Sequence, residues 1–176
     1  MRRVLVIGCS GAGKSTFCGR LAALTGLSIL SLDAAFWRPG WVETPREEWR
    51  ACVQRLTAGE AWIMDGTFVG TLDIRLPRAD TVVWLDPPRR VCMARVLWRI
   101  ASSYGRVRPE MAAGCAERLD PAFLHYVWTF NARYRPHIEA ALTAYGRHLY
   151  PVIIRHDVDA ARFLDKVGRE KPLEAD

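Results

Sequence analysis

Long apolar runs are missing from this sequence. No stretch of 18 apolar residues occurs, and the run near the start, Val4–Ile7, lasts four residues with no charged-then-apolar leader before it. A membrane partner is thereby excluded, and a soluble cytoplasmic protein is expected. Cysteine is sparse and unpatterned: positions 9, 18, 52, 92 and 115 form no C-x-x-C pair and are odd in number, which fits free thiols in a reducing compartment. The four histidines lack metal-ligand spacing, so structural zinc is excluded as well. Internal repeats, low-complexity tracts and helix-turn-helix, zinc-finger or RNP signatures are absent, and no pattern specifies a second subunit. What remains is 176 residues, half of them apolar, enough for one self-sufficient core. The expected organisation is a single domain over 1–168 followed by a polar tail, 169–176.

Lysine is scarce too, at positions 14, 166 and 171, and one of the three completes a motif. Straight after Val4–Ile7 comes Gly8-Cys9-Ser10-Gly11-Ala12-Gly13-Lys14-Ser15-Thr16, a G-x-x-x-x-G-K-S phosphate loop. Shuffling this composition would produce the pattern on the order of once per thousand chains. Glycines let the chain curl so that successive backbone N–H groups point inward as a nest for phosphate oxygens. Lys14 reaches the outer phosphates, Ser15 offers a hydroxyl to Mg²⁺, and the helix beginning here turns its positive end to the same anion. The segment from Gly8 to Thr16 is therefore the expected ATP-binding cradle.

Charge supports a local anion. The net charge is +6, but residues 87–118 carry seven basic and two acidic side chains, while 1–86 and 119–176 are nearly balanced. A polyphosphate at one place explains this better than a basic surface over the whole domain.

Ser15 to Thr25 reads as a helix with Phe17, Leu21 and Leu24 on one face and Gly26 as its stop. Leu27–Leu32 reads as a strand ending at Asp33, which is either an acid at the acceptor side or the N-cap of the next helix. Trp37 and Trp41 flank a Pro39-Gly40 turn, and they either stack on a planar substrate or pack as ordinary core. Thr44-Pro45-Arg46-Glu47 predicts a capping box opening a helix to about Ala58, with Trp49, Val53 and Leu56 on its apolar face. Ala61–Asp65 is a strand ending in a carboxylate, as expected of the acidic group that holds Mg²⁺ or its waters. A turn-rich stretch, 67–80, leads to a further strand at Thr81–Asp86.

From Arg89, the residues Val91, Ala94, Trp98 and Ala101 mark one helical face, and Arg95 and Arg99 are spaced so that both heads approach one ligand. The segment RVRPEMAAGCAERLD that follows reads as a mobile surface excursion, either an anion-capturing lid or a solvated charged loop. Asp120-Pro121 opens a long helix interrupted at Pro136 and ended by Gly146. A fifth strand at 148–155 and a helix at 157–167 complete the pattern. Five β-type runs separated by helices imply an α/β three-layer sandwich, a five-stranded parallel sheet flanked by helices.

On these residues the chain resembles the nucleoside-monophosphate kinase branch of the P-loop NTPase fold. The match to adenylate kinase patterns covers the loop at 8–16, the strand ending in Asp65-Gly66, and LDPPRRVCMARVLWR at 85–99. The resemblance implies that Arg95 lies against the ATP adenine and Arg99 reaches its phosphates, with 34–60 as acceptor-binding insertion and 88–122 as Arg-rich lid. More closely, SLDAAFWRPGWVETPREEW, MDGTF, RLPRADTVVWLD and RPEMAAGCAERLD look like the bacterial topology modulation proteins, an adenylate-kinase-related group.

One departure bears on the acceptor. Adenylate kinases have Asp-Gly-Phe-Pro-Arg where this chain has Asp65-Gly66-Thr67-Phe68-Val69, so the arginine that clamps the acceptor phosphate is missing. Arg38 or Arg75 is the candidate substitute, and AMP is disfavoured as acceptor. The excursion after the helix carries a single cysteine, Cys115, which excludes a four-ligand zinc lid.

The sequence thus predicts an ATP- and Mg²⁺-dependent phosphotransferase acting on a small nucleotide- or nucleoside-like acceptor. Lys14, Asp33, Asp65 and Arg99 are the expected catalytic residues, with Ser15 and Asp65 at the metal. Asp33, Trp37, Arg38, Arg75, Arg106 and Arg108 are expected at the acceptor. The alternative is a nucleotide-switched DNA-binding regulator, supported by the sequence pI near 9.4.

Overall fold

Val4, Leu5, Val6 and Ile7 are entirely removed from solvent, because the strand they form is covered on both faces and flanked on both edges. In a computed structural model describing residues 1–170, this strand, β1 (Arg3–Gly8), is the middle of a fully parallel five-stranded sheet. The order is β2 (Ile29–Ser31), β5 (Trp62–Asp65), β1, β6 (Thr81–Leu85) and β7 (Val152–Ile154). Helices cover both faces. On one side, α1 (Lys14–Thr25) packs with α7 (Asp157–Glu170), the rings of Phe17 and Phe163 lying 5.9 Å apart. A second group comprises α3 (Arg46–Thr57), α4 (Leu72–Arg75), α5 (Arg89–Ser103) and α6 (Pro121–Tyr145). This is the α/β three-layer sandwich expected from the alternation of runs.

Parallel register sets the location of chemistry. Ser31 lies opposite Asp65, Asp65 opposite Val6, and Gly8 opposite Leu85, so the carboxyl ends of β2, β5 and β1 finish together. Polar side chains at those ends converge above one edge of the sheet, where open α/β folds carry their sites.

Several local expectations change. β2 stops at Ser31, and Leu32–Phe36 is a short helix, α2, whose N-cap is Ser31 through its Oγ to the Ala34 amide; Asp33 sits in the first turn instead of capping it. The Trp-flanked turn is a small antiparallel hairpin of β3 (Trp37–Arg38) and β4 (Val42–Glu43). The capping box at α3 does not form: Thr44 Oγ1 donates instead to the Phe36 carbonyl at 2.5 Å, tying the hairpin base together, and Pro45 occupies the cap position. The long helix α6 runs uninterrupted through Pro136. Ala132, whose carbonyl cannot receive an amide from Pro136, is exposed, so that carbonyl is not trapped in the core.

In α5 the buried face is Cys92, Val96 and Ile100, one position from the expected stripe, and Trp98 is 73% exposed. The helix carries apolar residues on two stripes, so periodicity alone cannot choose between them. Residues 169–170 of the expected tail belong to α7, and 171–176 lie outside the described residues. Among the described residues no helix is long and apolar enough to cross a membrane.

Candidate active site

The phosphate loop owes its shape to glycine at a place where nothing larger fits. Gly11 has φ +79°, and a Cβ there would run into the carbonyl oxygen of Cys92 on α5. The loop is thus pressed against α5, and it is pinned from the other side by Thr67, whose Oγ1 accepts from the Gly8 amide at 2.9 Å and donates to the Gly8 carbonyl at 2.7 Å. Two crossings of the sheet edge are thereby locked in register, which fixes the amides that follow.

Lys14, the first residue of α1, donates to the Cys9 carbonyl at 3.1 Å, so its ammonium folds back over the loop. Ser15 Oγ donates to Asp65 Oδ2 at 2.8 Å. Sequence reasoning named both residues as metal ligands separated by fifty positions, and the fold brings them into contact. Two oxygen donors beside a phosphate nest suit magnesium, which takes oxygen ligands and keeps several waters.

A cavity of about 630 Å³ opens beside the loop. Gly8, Ser10, Gly11 and Lys14 form its floor, and Asp33, Arg99 and Arg108 project from three separate elements. Its other walls are rings: Trp37 and Trp41 from the hairpin, Phe68 from the exit of β5, and Phe123 and Tyr126 from α6. The two indoles meet edge to face, centroids 5.4 Å apart. Burial pushes the Asp33 carboxyl above the usual carboxylate range, the charge of Asp65 adding to the effect while Lys14, Arg108 and Arg99 oppose it. Burial also pulls the Arg99 guanidinium down, with the charge of Arg108 acting the same way and Glu117 against it.

Glu117 is a residue that sequence reasoning missed. It is 5% exposed, and it accepts from Arg99 Nη2 at 3.1 Å and from Arg108 Nε at 2.9 Å. Arg108 also pairs with Glu110 at 2.8 Å. In the sequence Glu117 is one of only two acids among seven basic residues, a signal legible as a clamp only once the chain is folded. The segment joining α5 to α6 is also not purely surface. Met111, Cys115 and Glu117 are buried, and bridges link Tyr104 with Glu117 and Val107 with Ala116. The same segment is bonded to the hairpin side: Ser31 Oγ to the Glu110 carbonyl at 2.9 Å, Gly40 N to the Gly114 carbonyl at 3.3 Å, and Trp41 Nε1 to the Ala116 carbonyl at 3.0 Å.

Other expected site residues lie elsewhere. Arg38 pairs with Glu48 on the surface, at 2.6 Å. Arg75 is fully buried and donates to the carbonyls of Gly66, Thr67, Phe68 and Thr71, so it braces the exit of β5 and does not line the cavity. Burial pulls its pKa down to about 9, which leaves it charged at neutral pH. The Arg106 side chain is exposed and does not line the cavity.

Arg95 and Arg99 are not brought to one place either. Arg95 pairs with Asp157 at 2.7 Å and lines a second cavity of about 420 Å³, with Gly13, Thr16 and His156. One helix thus contributes an arginine to each of two cavities that border the phosphate loop.

No protein-family model matches the chain, and no curated protein matches its sequence. Solved structures do share the fold. Shikimate kinase from Acinetobacter baumannii, solved with shikimate, superposes with a TM-score of 0.64 at 16% identity over 95% of this chain and 90% of that one. Deoxyadenosine kinase from M. mycoides, with bound dATP, gives 0.53 at 13% identity over 95% and 99%. A gluconokinase from Sinorhizobium meliloti gives 0.50 at 17% over 99% and 98%. At these identities the likeness establishes the fold alone, an α/β sandwich of the P-loop NTPase architecture, and the acceptors named differ from one neighbour to the next.

Proposed function

We propose that the protein is an ATP-dependent phosphotransferase that moves the γ-phosphoryl group of Mg-ATP to a small nucleotide- or nucleoside-like acceptor. The observation that carries this reading is that Lys14, Asp33 and Arg99 line one cavity beside a glycine-shaped phosphate nest, while the Ser15–Asp65 pair forms where the helix leaves that nest. Phosphoryl transfer needs positioning and charge neutralisation more than covalent chemistry. The backbone of residues 8–16 and Lys14 hold the phosphates, and the smaller cavity with Arg95 takes the nucleoside end of ATP. Magnesium held by Ser15 and, through water, by Asp65 would neutralise charge on the β- and γ-phosphates. Arg99, fixed by Glu117, meets the charge that grows on the transferring group, and Asp33 stands on the acceptor side.

In this reading residues 34–60 form the acceptor wall and 88–122 the lid, excluding water from the reacting group. The closer resemblance to topology modulation proteins adds no chemistry beyond this, since the motifs are those of a small-molecule kinase. The test is binding and turnover of Mg-ATP by the wild type and by Lys14→Ala. The variant should stay folded and lose turnover, because Lys14 is not itself part of the buried apolar core. Unchanged turnover refutes the site. ATP binding without transfer to any acceptor, together with duplex-DNA affinity that persists at physiological salt, favours the regulator instead.

A further inference from the structure

The acceptor can be narrowed by asking which charges in the larger cavity are free to meet it. Four cations face the cavity: Lys14, Arg99, Arg108 and Arg118. Four carboxylates face it too: Asp33, Glu43, Glu117 and Asp120. The wall is therefore neutral, unlike the surrounding segment, whose excess of arginine suggested anion capture.

The arginines are also already engaged. Arg99 and Arg108 share Glu117, Arg108 adds Glu110, and Arg118 lies 3.6 Å from Asp120 with its guanidinium over the Trp41 ring. Arg38, Arg75 and Arg106, the other candidates for an acceptor phosphate, lie outside the cavity. Once a triphosphate draws on Lys14 and Arg99, what remains on the wall is two arginines against four carboxylates. An anionic group in the acceptor would then be desolvated among like charges and would meet only forks already paired with carboxylates, and such a group is strongly disfavoured.

The rest of the wall suits something else. Trp37 and Trp41 on one side and Phe123 and Tyr126 on another present flat apolar surface, with Asp33 beside Lys14 as an acceptor of one proton. We infer that the acceptor is an uncharged, ring-bearing alcohol, such as a nucleoside, carrying no phosphate or carboxylate of its own. This inference rests on the phosphotransferase reading and narrows it. In the step, the acceptor hydroxyl oxygen forms a bond to the γ-phosphorus while the bond from that phosphorus to the β–γ bridging oxygen breaks. The hydroxyl proton passes to an oxygen of Asp33 and then to water, leaving ADP and a phosphate monoester.

Matched pairs test it. γ-Labelled ATP is incubated with the protein and with adenosine, guanosine, cytidine and thymidine, each beside its 5′-monophosphate, and with 1-phenylethane-1,2-diol beside mandelate. Label should pass to at least one uncharged member, with kcat/KM at least roughly 100-fold above its charged partner. In Glu117→Gln, where two arginine heads lose their carboxylate, that preference should narrow about tenfold; should this variant fail to fold, the wild-type panel decides alone. Mg-ATP binding measured by calorimetry separates the two layers of argument: no binding overturns the phosphotransferase reading itself. Binding with transfer to a monophosphate or carboxylate in preference to its uncharged partner, or with transfer to none of the uncharged compounds, overturns the acceptor inference alone.

Discussion

Replacing Arg99 by lysine isolates the planar fork from the charge. Arg99 is held on α5, a helix of 15 residues, and its Nη2 is fixed 3.1 Å from Glu117 Oε1, with the guanidinium 5.6 Å from the Phe123 ring centre. It is therefore in place before charge develops on the transferring group, and that condition makes a donor effective. Lysine keeps the charge but offers a single point that cannot serve Glu117 and a phosphoryl oxygen in one plane. Losing one preorganised donor of this kind costs roughly 10² to 10³ in kcat, about 2.7–4 kcal/mol of transition-state stabilisation. Affinity for ATP should fall much less, because the nest and Lys14 are untouched. The assay is ADP release at saturating Mg-ATP, beside calorimetric ATP binding and a thermal melt to show that the fold persists. A variant with unchanged kcat and weakened ATP binding would make Arg99 a uniform binding contact and refute the transition-state role. In a double-mutant cycle with Glu117→Gln, the two substitutions should be non-additive by about 0.5–3 kcal/mol.

Three further outcomes follow from the same geometry. Asp65→Asn removes charge beside Ser15 but keeps shape, so Mg²⁺-dependent turnover should fall far more than nucleotide binding measured in EDTA; equal losses would place Asp65 outside the metal site. Asp33 has its carboxyl raised by burial, so between the unfolded and folded pKa values the native state binds more protons, and stability falls as pH rises through that window. Asp33→Asn should therefore be more resistant to urea at neutral pH than the wild type, while losing transfer to an alcohol; a less stable variant contradicts the sign. Arg75→Met strips a buried cation from the carbonyls of residues 66–68, which should destabilise by about 3–5 kcal/mol and lower Tm by roughly 10 °C, whereas a melt within 2 °C of wild type, as an order-of-magnitude threshold, would show those carbonyls finding other partners.

The phosphate loop and the five-stranded parallel sheet were legible because each rests on local pattern: glycines before a lysine, and short apolar runs that alternate with helices and end in polar residues. Ser15 and Asp65 were both expected at the metal, and they meet because α1 starts directly after the loop that leaves β1, while β5, the strand beside β1, ends at Asp65. Arg75 misled because a sequence records only that an arginine is near the acidic strand end, not that backbone carbonyls there need a donor. Glu117 was hidden for the opposite reason: a lone acid in a basic stretch looks like incidental charge until α5 and the returning chain set two guanidinium heads around it. The shift of the α5 buried face belongs with these, since two stripes of equal apolarity leave the choice to tertiary packing.

The bonds joining the hairpin side to the segment after α5 have a mechanical consequence. They run from Ser31, Gly40 and Trp41 to carbonyls of that segment, and from its Cys115 thiol to the Arg38 carbonyl, so two walls of the cavity are stitched to one another. At about 1 kcal/mol for each of the three N–H and O–H bonds, the joined arrangement outweighs a separated one on the order of 100 to 1. The two sides therefore move as one unit, with Gly105, at φ +73° just past the end of α5, as the natural pivot. In the phosphotransferase reading, a substitution that loosens a stitch would let the sides part and admit more water to compete with the acceptor.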